Sequence, residues 1–200
     1  MNYLAHLYLS GSDTGVMIGN FIADHIRGNQ FKHYSQGIQR GIRLHREIDT
    51  YTDAHPITRR SKRRLDKKYG LYAGVIIDLF YDHFLAKNWD EYSAIPLDVY
   101  VASLYALLGS NLENLPEKTQ HLLPLMVEYN WLYNDQFIKG MQRVFNGMNR
   151  RTKNKSQIHL ATYDLQEYYL TFERDFKEFF QQLIAFTDQK LQAISLISTI

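Results

Sequence analysis

The sequence predicts an all-α fold, a single-domain helical bundle over residues 1–200, on three observations. Most segments repeat apolar residues at a helical period, and strand-type alternation is nearly absent. Glycines, prolines and capping residues punctuate the chain at helix-length intervals. No repeat, low-complexity tract or linker divides the 200 residues. A chain of that length buries roughly 70% of the surface its unfolded form exposes, enough for one core.

The elements follow in order. Asn2 to about Leu9 reads as a short helix, and GSD after it as a turn. Asp13 or Thr14 is placed to N-cap a second helix running to Arg27, with Gly28 as its C-terminal stop. A third helix spans Tyr34 to Asp53. Pro56 suits the first turn of a fourth, Ile57 to Tyr69, which Gly70 closes. The fifth runs from about Leu71 to Lys87. DEYSAIP is a loop, Asp98 to Leu108 a helix, and GSNLENLP another break. A helix then starts at Pro116 or Glu117 and reaches about Trp131, interrupted by Pro124. Gln136 to Met148 is the next, before the basic loop NRRTKNKSQ. Leu165, Tyr169, Phe172, Phe176, Phe179, Leu183 and Leu191 then recur as one long amphipathic helix.

Apolar residues make up 45% and charged residues 22%, a globular balance. With 15 tyrosines and 11 phenylalanines the core is expected to be aromatic-rich. The absence of cysteine removes disulfides, thiolate metal sites and cysteine nucleophiles. No window approaches the roughly 18 apolar residues of a membrane span, and MNYLAHLYLSGS does not read as a signal peptide. The expectation is a soluble cytoplasmic protein with no membrane partner. The formal net charge is only +2, but it is unevenly distributed. Arg59, Arg60, Lys62, Arg63, Arg64, Lys67 and Lys68 crowd the fourth helix, and Arg150, Arg151, Lys153 and Lys155 form a second run. Acidic residues gather in the last third. The basic helix reads either as a solvated face or as a docking surface for an anionic partner.

The stretch YAGVIIDLFYDHFL, residues 72–85, carries the chemical question. It is apolar nearly all round, yet it holds Asp78, Asp82 and His83 with no Lys or Arg beside them. An ionised carboxylate in an apolar setting requires a partner or becomes neutral. A divalent cation is the simplest partner. Other N-terminal helices carry polar pairs at the same i, i+4 spacing: Asn2/His6, Asn20/Asp24 and His45/Asp49. The apolar stripe Ile38, Ile42 runs straight into His45 and Asp49. Packed together, these helices would bring His45, Asp49, Asp24, Asp78, Asp82 and His83 to one pocket. Nitrogen and oxygen donors without thiolate favour Mn²⁺, Fe²⁺, Mg²⁺ or Zn²⁺, and metal-assisted hydrolysis is the matching chemistry. His6 and His55, as lone imidazoles, read first as hydrogen-bonded core residues. With Asn2 and Asn20 they are expected behind the ligands rather than among them. There is no P-loop, HExxH or GxSxG.

NYLAHLYL (2–9), GNFIADHIRG (19–28), GIRLHREIDTYTDAHP (41–56) and YAGVIIDLFYDHFLAKNW (72–89) resemble the bacterial acyl carrier protein phosphodiesterase family. The likeness covers at least residues 1–90; the C-terminal half matches more weakly and only in being helical. That family is similar to HD-type phosphohydrolases, so the resemblance implies an HD-phosphohydrolase-like helical fold. It also implies hydrolysis of the diester joining 4′-phosphopantetheine to a serine of acyl carrier protein, with Mn²⁺ as metal. Carried over, the motifs point to Asp24, His45, Asp49, Asp78, Asp82 and His83, with the DH order at 82–83 reversed from the usual HD doublet.

The expected mechanism has the metal on His45, Asp78 and some of Asp24, Asp49, Asp82 and His83. Asp24 or Asp49, if off the metal, orients the water. His83, if not a ligand, protonates the leaving serine oxygen. Arg46 or Arg43 balances phosphate charge. Arg59, Arg60, Lys62, Arg63, Arg64 and Lys67 would meet the acidic carrier. The rival readings are an HD-like hydrolase of a nucleotide such as guanosine tetraphosphate, and a non-catalytic helical module that binds an acidic protein. A nucleic-acid partner is disfavoured because aromatics do not interleave the basic run. Oligomeric state is not legible.

Overall fold

A computed structural model describes residues 2–197 of the chain and the side chains of residues 2–193. Every regular element among the described residues is helical. The α-helices are α1 (Tyr3–Tyr8), α2 (Thr14–Ile22), α3 (Gln36–Ala54), α4 (Pro56–Tyr69), α5 (Ala73–Lys87) and α6 (Leu97–Ser110). They continue as α7 (Glu117–Glu128), α8 (Trp131–Asn134), α9 (Ile138–Arg151), α10 (Ala161–Glu167) and α11 (Tyr169–Ile197), with short 3-10 turns between them. None is long and apolar enough to cross a membrane.

The central element is α5. Its residues from Leu79 to Ala86 are all buried, and it packs on α1, α4, α9 and α11. The contacts are largely aromatic: Phe80 meets Phe172 at 5.2 Å, Phe84 meets Phe176 at 5.9 Å and Tyr81 meets Phe179 at 5.5 Å between ring centroids. The three-and-four-residue spacing of α11 supplies the facing rings, each adding about 1 kcal/mol beyond its buried area.

The basic face of α4 is largely committed to this packing. Arg60 and Arg64 both donate to the carboxylate of Asp175 on α11, which is fully buried and also accepts from Ser61 Oγ at 2.8 Å. Arg60 also reaches Glu178, Lys62 pairs with Asp53 and Lys68 pairs with Asp164. Arg59 donates to the carbonyl of Asp53. Of the cations expected to meet a partner, Arg60 and Arg64 are therefore structural ties between α4 and α11, whereas Arg63 and Lys67 stand exposed on the outer face. Burial raises the Asp175 carboxyl, but bonds from Arg60, Ser61 and Arg64 outweigh it and hold the group below the usual range. Asp175→Ala is expected to lower stability by about 2 kcal/mol at neutral pH, less than for a fully buried pair because the guanidiniums are partly exposed. For a depressed carboxyl the stabilisation is present above about pH 4 and is lost as pH falls through the folded value. Denaturant melts of both proteins should therefore converge in acid; a constant difference down to low pH would refute the ion-pair account.

Helices α2 and α3 make the closest pairing in the molecule. A Cβ on Gly19 would lie 2.1 Å from Ile38 O, and one on Gly41 would lie 2.1 Å from Val16 O. Asp13 starts α2 by accepting from Val16 N–H at 3.1 Å, and its other oxygen holds Arg40 at 2.7 Å.

Several boundaries depart from the sequence reading; α9 runs on to Arg151, so Arg150 and Arg151 belong to its last turn rather than to the expected basic loop. Helix α2 stops at Ile22 rather than Arg27, and the chain tightens into a 3-10 turn over Ala23–His25. That turn rotates Asp24 to a new azimuth. The helix beginning at Glu117 ends at Glu128, since Asn130 takes a left-handed φ of 45° before α8, while Pro124 is accommodated within α7. The long C-terminal helix is two: Tyr168 leaves helical geometry and separates α10 from α11.

Candidate metal centre and adjoining groove

Four side chains from three segments converge where α1, α2 and α3 meet. His45 lies in α3 and Asp49 one turn further on, so their spacing puts both on one face. His45 Nε2 is 3.1 Å from Asp49 Oδ2 and 3.2 Å from Asp24 Oδ1. His6, from α1, stacks its ring on that of His45 with centroids 4.0 Å apart and planes at 16°. Its Nε2 is 3.3 Å from Asp49 Oδ1.

Asn20 orients the group. Its Nδ2 donates to His6 O at 2.8 Å and to Ser10 Oγ at 2.9 Å, which leaves Oδ1 as the acceptor. His45 Nδ1 faces Asn20 O at 2.9 Å and Asn20 Oδ1 at 3.0 Å. Both are acceptors, so Nδ1 carries the proton and Nε2 is directed at the carboxylates. A backbone carbonyl on the far nitrogen is the usual way a ligand imidazole is fixed.

The electrostatics fit a cation site. Burial lowers His45, yet its bonds to Asp24 and Asp49 win and raise it to about 9. Burial raises Asp49, but His45 and His6 outweigh that and hold it well below the carboxylate range. The bond to His45 also lowers Asp24. Burial, and then the charge of His45, push His6 down to about 4. Without a metal, positive charge is thus concentrated on His45, between two carboxylates.

One donor atom each from His6, His45 and Asp49 lies within 4.8 Å of the others. Donors held about 2.0–2.2 Å from one ion stand roughly 3–4.4 Å apart, so a modest contraction suffices. Buried His6 Nδ1 lacks a hydrogen-bond partner among the described residues, and Nε2 meets only Asp49 Oδ1 across 3.3 Å, an arrangement that costs stability unless something binds the ring. The residues present therefore fit a divalent cation on His6, His45 and Asp49, with Asp24 beside it.

The other residues singled out from sequence go elsewhere. Asp82 is fully buried, but its oxygens accept the N–H groups of Asn2 (3.1 Å) and Leu4 (2.9 Å), capping α1. Burial raises its carboxyl to about 7. His83 Nδ1 donates to Asp135 O at 2.8 Å, and Nε2 meets Tyr169 OH at 3.0 Å. Neither reaches the cluster, because successive residues on a helix project about 100° apart and both point into packed helices. Asp78 is half-buried and outside the His6/His45/Asp49 group; it lines the neighbouring groove, as Asn2 does. His55 caps α4 through Ile57 N–H and packs on Tyr51 and Phe179. Arg46 donates to Gly28 O and lies over Phe31, as Arg43 also does, so it anchors the segment following Asp24. His6 was expected only behind the ligands. The signal for a larger role was present, since it interrupts an apolar helix just as Asp78 does.

Asp24 also belongs to the wall of a groove of about 880 Å³ between α1 and α5 on one side and α7, α8 and α9 on the other. Lys118, Arg143, Arg150 and Arg151 line it, together with apolar residues of α7–α9.

The family model described as acyl carrier protein phosphodiesterase matches residues 1–183. A protein of that name from Photorhabdus laumondii is 30% identical over 191 residues, covering 95% of this chain and 96% of the relative. Proteins of the same name from Salmonella dublin and Salmonella agona are 31% identical over 186 residues, covering 92% of this chain and 96% of each relative. No solved structure matches. On a match that runs through the whole cluster and the whole groove, the chain belongs to the acyl carrier protein phosphodiesterase family.

Proposed function

We propose that the protein hydrolyses the phosphodiester joining 4′-phosphopantetheine to the serine of holo-acyl carrier protein, giving the apo-carrier and free 4′-phosphopantetheine in the cytoplasm. The observation that carries this reading is the meeting of His6, His45, Asp49 and Asp24 at one end of a cation-lined groove. His6, His45 and Asp49 hold the metal, Mn²⁺ by first choice, with Mg²⁺, Fe²⁺ or Zn²⁺ as alternatives of the same donor preference. A bound divalent ion lowers the pKa of its water and polarises phosphoryl oxygen.

The chain's own groups do the rest. Asn20 keeps His45 Nε2 facing inward. Asp24 is ionised, solvent-accessible and outside the three-donor group, so it orients the attacking water and takes its proton. As the phosphorus–oxygen bond to serine breaks, that proton passes to the departing serine oxygen. Arg143, Arg150 and Arg151 along the groove offset the charge of the diester. His83, held between a carbonyl and Tyr169, has no part in this route.

The test is incubation of purified holo-carrier with the protein and Mn²⁺, with the carrier's mass followed. Loss of the phosphopantetheine mass is expected; an unchanged carrier with metal bound would sink the reading. Guanosine tetraphosphate serves as the comparison substrate and should survive. Acyl carrier proteins are small and acidic, so Arg63, Lys67 and the groove cations should steer encounter. kcat/KM for the carrier should fall about tenfold or more between low and moderately high salt, while a small diester changes little. Equal salt dependence would remove the docking role.

A further inference from the structure

Asp82 is costly where it stands. It is fully buried in α5, and burial pushes its carboxyl up to about 7 despite the bonds it accepts. An apolar side chain would carry no such penalty, so the packing of α5 gives no reason for an acid here. The reason lies on α1. Asp82 Oδ1 accepts Asn2 N–H at 3.1 Å and Oδ2 accepts Leu4 N–H at 2.9 Å. These donors open α1, and the side chain of Asn2, which occupies the capping position, makes no capping bond.

Helix α1 has only six residues, and a helix that short does not hold its own shape or place in water. It is fixed at both ends. Asn20 Nδ2 and Ser10 Oγ each donate to His6 O at 2.8 Å, which ties His6 to α2. Asp82 holds the first turn and registers α1 against α5, a helix that carries none of the four clustered side chains. Leu4 is two residues before His6, about 3 Å along the axis. A shift at Leu4 is therefore felt at the His6 ring, which must stack on His45 and present Nε2 to Asp49 at once.

Resting on the metal-dependent phosphodiesterase reading above, we propose that Asp82 is a positioning residue for the metal centre: it pins the first turn of α1 from the core and so sets where His6 meets His45 and Asp49. It touches neither metal nor substrate and acts through the Asn2 and Leu4 amides. The same contact places Asn2 and Tyr3, which line the groove beside Asp24.

Mn²⁺ binding to the whole protein without substrate reads this role directly, with the free ion followed by its paramagnetic resonance well below the melting transition. Asp82→Asn keeps the shape, but its amide accepts one N–H and turns a donor towards the other. Its Kd for Mn²⁺ should weaken about threefold, and that of Asp82→Ala, which accepts neither, about tenfold or more, the cost of losing a group that orients a ligand. Saturating Mn²⁺ should return small-diester kcat in Asp82→Asn to within about twofold of wild type, because no reacting group is altered. The Leu4 amide should lose hydrogen-exchange protection in Asp82→Ala while the amides of α4 keep theirs. Asp175→Ala is the control, since it loosens α4 from α11 and should lower Tm with Mn²⁺ affinity unchanged.

Unchanged Mn²⁺ affinity in folded Asp82→Asn and Asp82→Ala, or equal weakening in Asp175→Ala, overturns the positioning role. Wild-type protein that binds no Mn²⁺ overturns the metal centre and this role together. Holo-carrier left intact by wild type that binds Mn²⁺, with the affinity weakened in Asp82→Ala, overturns the phosphodiesterase reading alone.

Discussion

His45→Ala is expected to reduce phosphopantetheine release by about 10³-fold or more, roughly 4 kcal/mol of transition-state stabilisation. The size follows from geometry. His45 Nε2 touches both Asp24 and Asp49, its ring lies on His6, and its Nδ1 is fixed by Asn20. Removing it takes away one donor of the proposed metal site and the imidazole that bridges the two carboxylates. Metal content measured after dialysis should fall in parallel with activity. His83→Ala is the informative comparison. It empties a buried position between Asp135 O and Tyr169 and should lower Tm, yet the folded fraction should keep its metal and its turnover within a few-fold. Wild-type turnover from His45→Ala, or metal lost from folded His83→Ala, would reverse the assignment.

Gly41→Ala is expected to lower stability by about 3 kcal/mol or more, a fall in Tm of roughly 6–12 °C for a domain this size. The added methyl would sit 2.1 Å from Val16 O, 2.7 Å from Asn20 N and 2.8 Å from Gly19 Cα. All three are backbone atoms, so no side-chain rotation relieves the overlap; α2 must move off α3. Asn20 rides on α2, Asp24 follows it, and His45 and Asp49 lie on α3. Separation of the helices therefore breaks the bonds that orient His45. Turnover measured well below the melting transition should drop about tenfold or more, the cost of an orienting contact to a ligand of the proposed metal. A variant that melts early but turns over normally when folded would show that the helix spacing serves stability alone.

Part of the centre was legible from local pattern. The i, i+4 spacing of His45 and Asp49 at the end of an apolar stripe fixes them on one inward face whatever packs there. Asn20 and Asp24 share a similar relation, although the 3-10 turn after Ile22 changes where Asp24 points. The acids of α5 show why local pattern was insufficient. Asp82 and His83 pose a true burial problem, whereas Asp78 is only half-buried, and more than one partner can solve it. For Asp82 the partner is the N-terminus of α1, with Leu4 N–H donating across 78 positions of sequence. For His83 it is a carbonyl 52 residues away. A capped carboxylate and a metal-bound one look alike in a helical sequence. The basic run of α4 has the same ambiguity, settled for Arg60 and Arg64 by the buried carboxylate of Asp175.

Local patterns along the chain specify the all-helical architecture, most helix limits and the family. These rest on periodicity, capping and motif, which are relations between near neighbours along the chain. Only the tertiary structure decided which polar groups meet. It placed His6 against His45, sent Asp82 and His83 to backbone partners, and opened the groove beside Asp24. The physical reason is that a buried polar group needs a partner of the right kind at about 3 Å, and the chain can supply that partner from any distance in sequence.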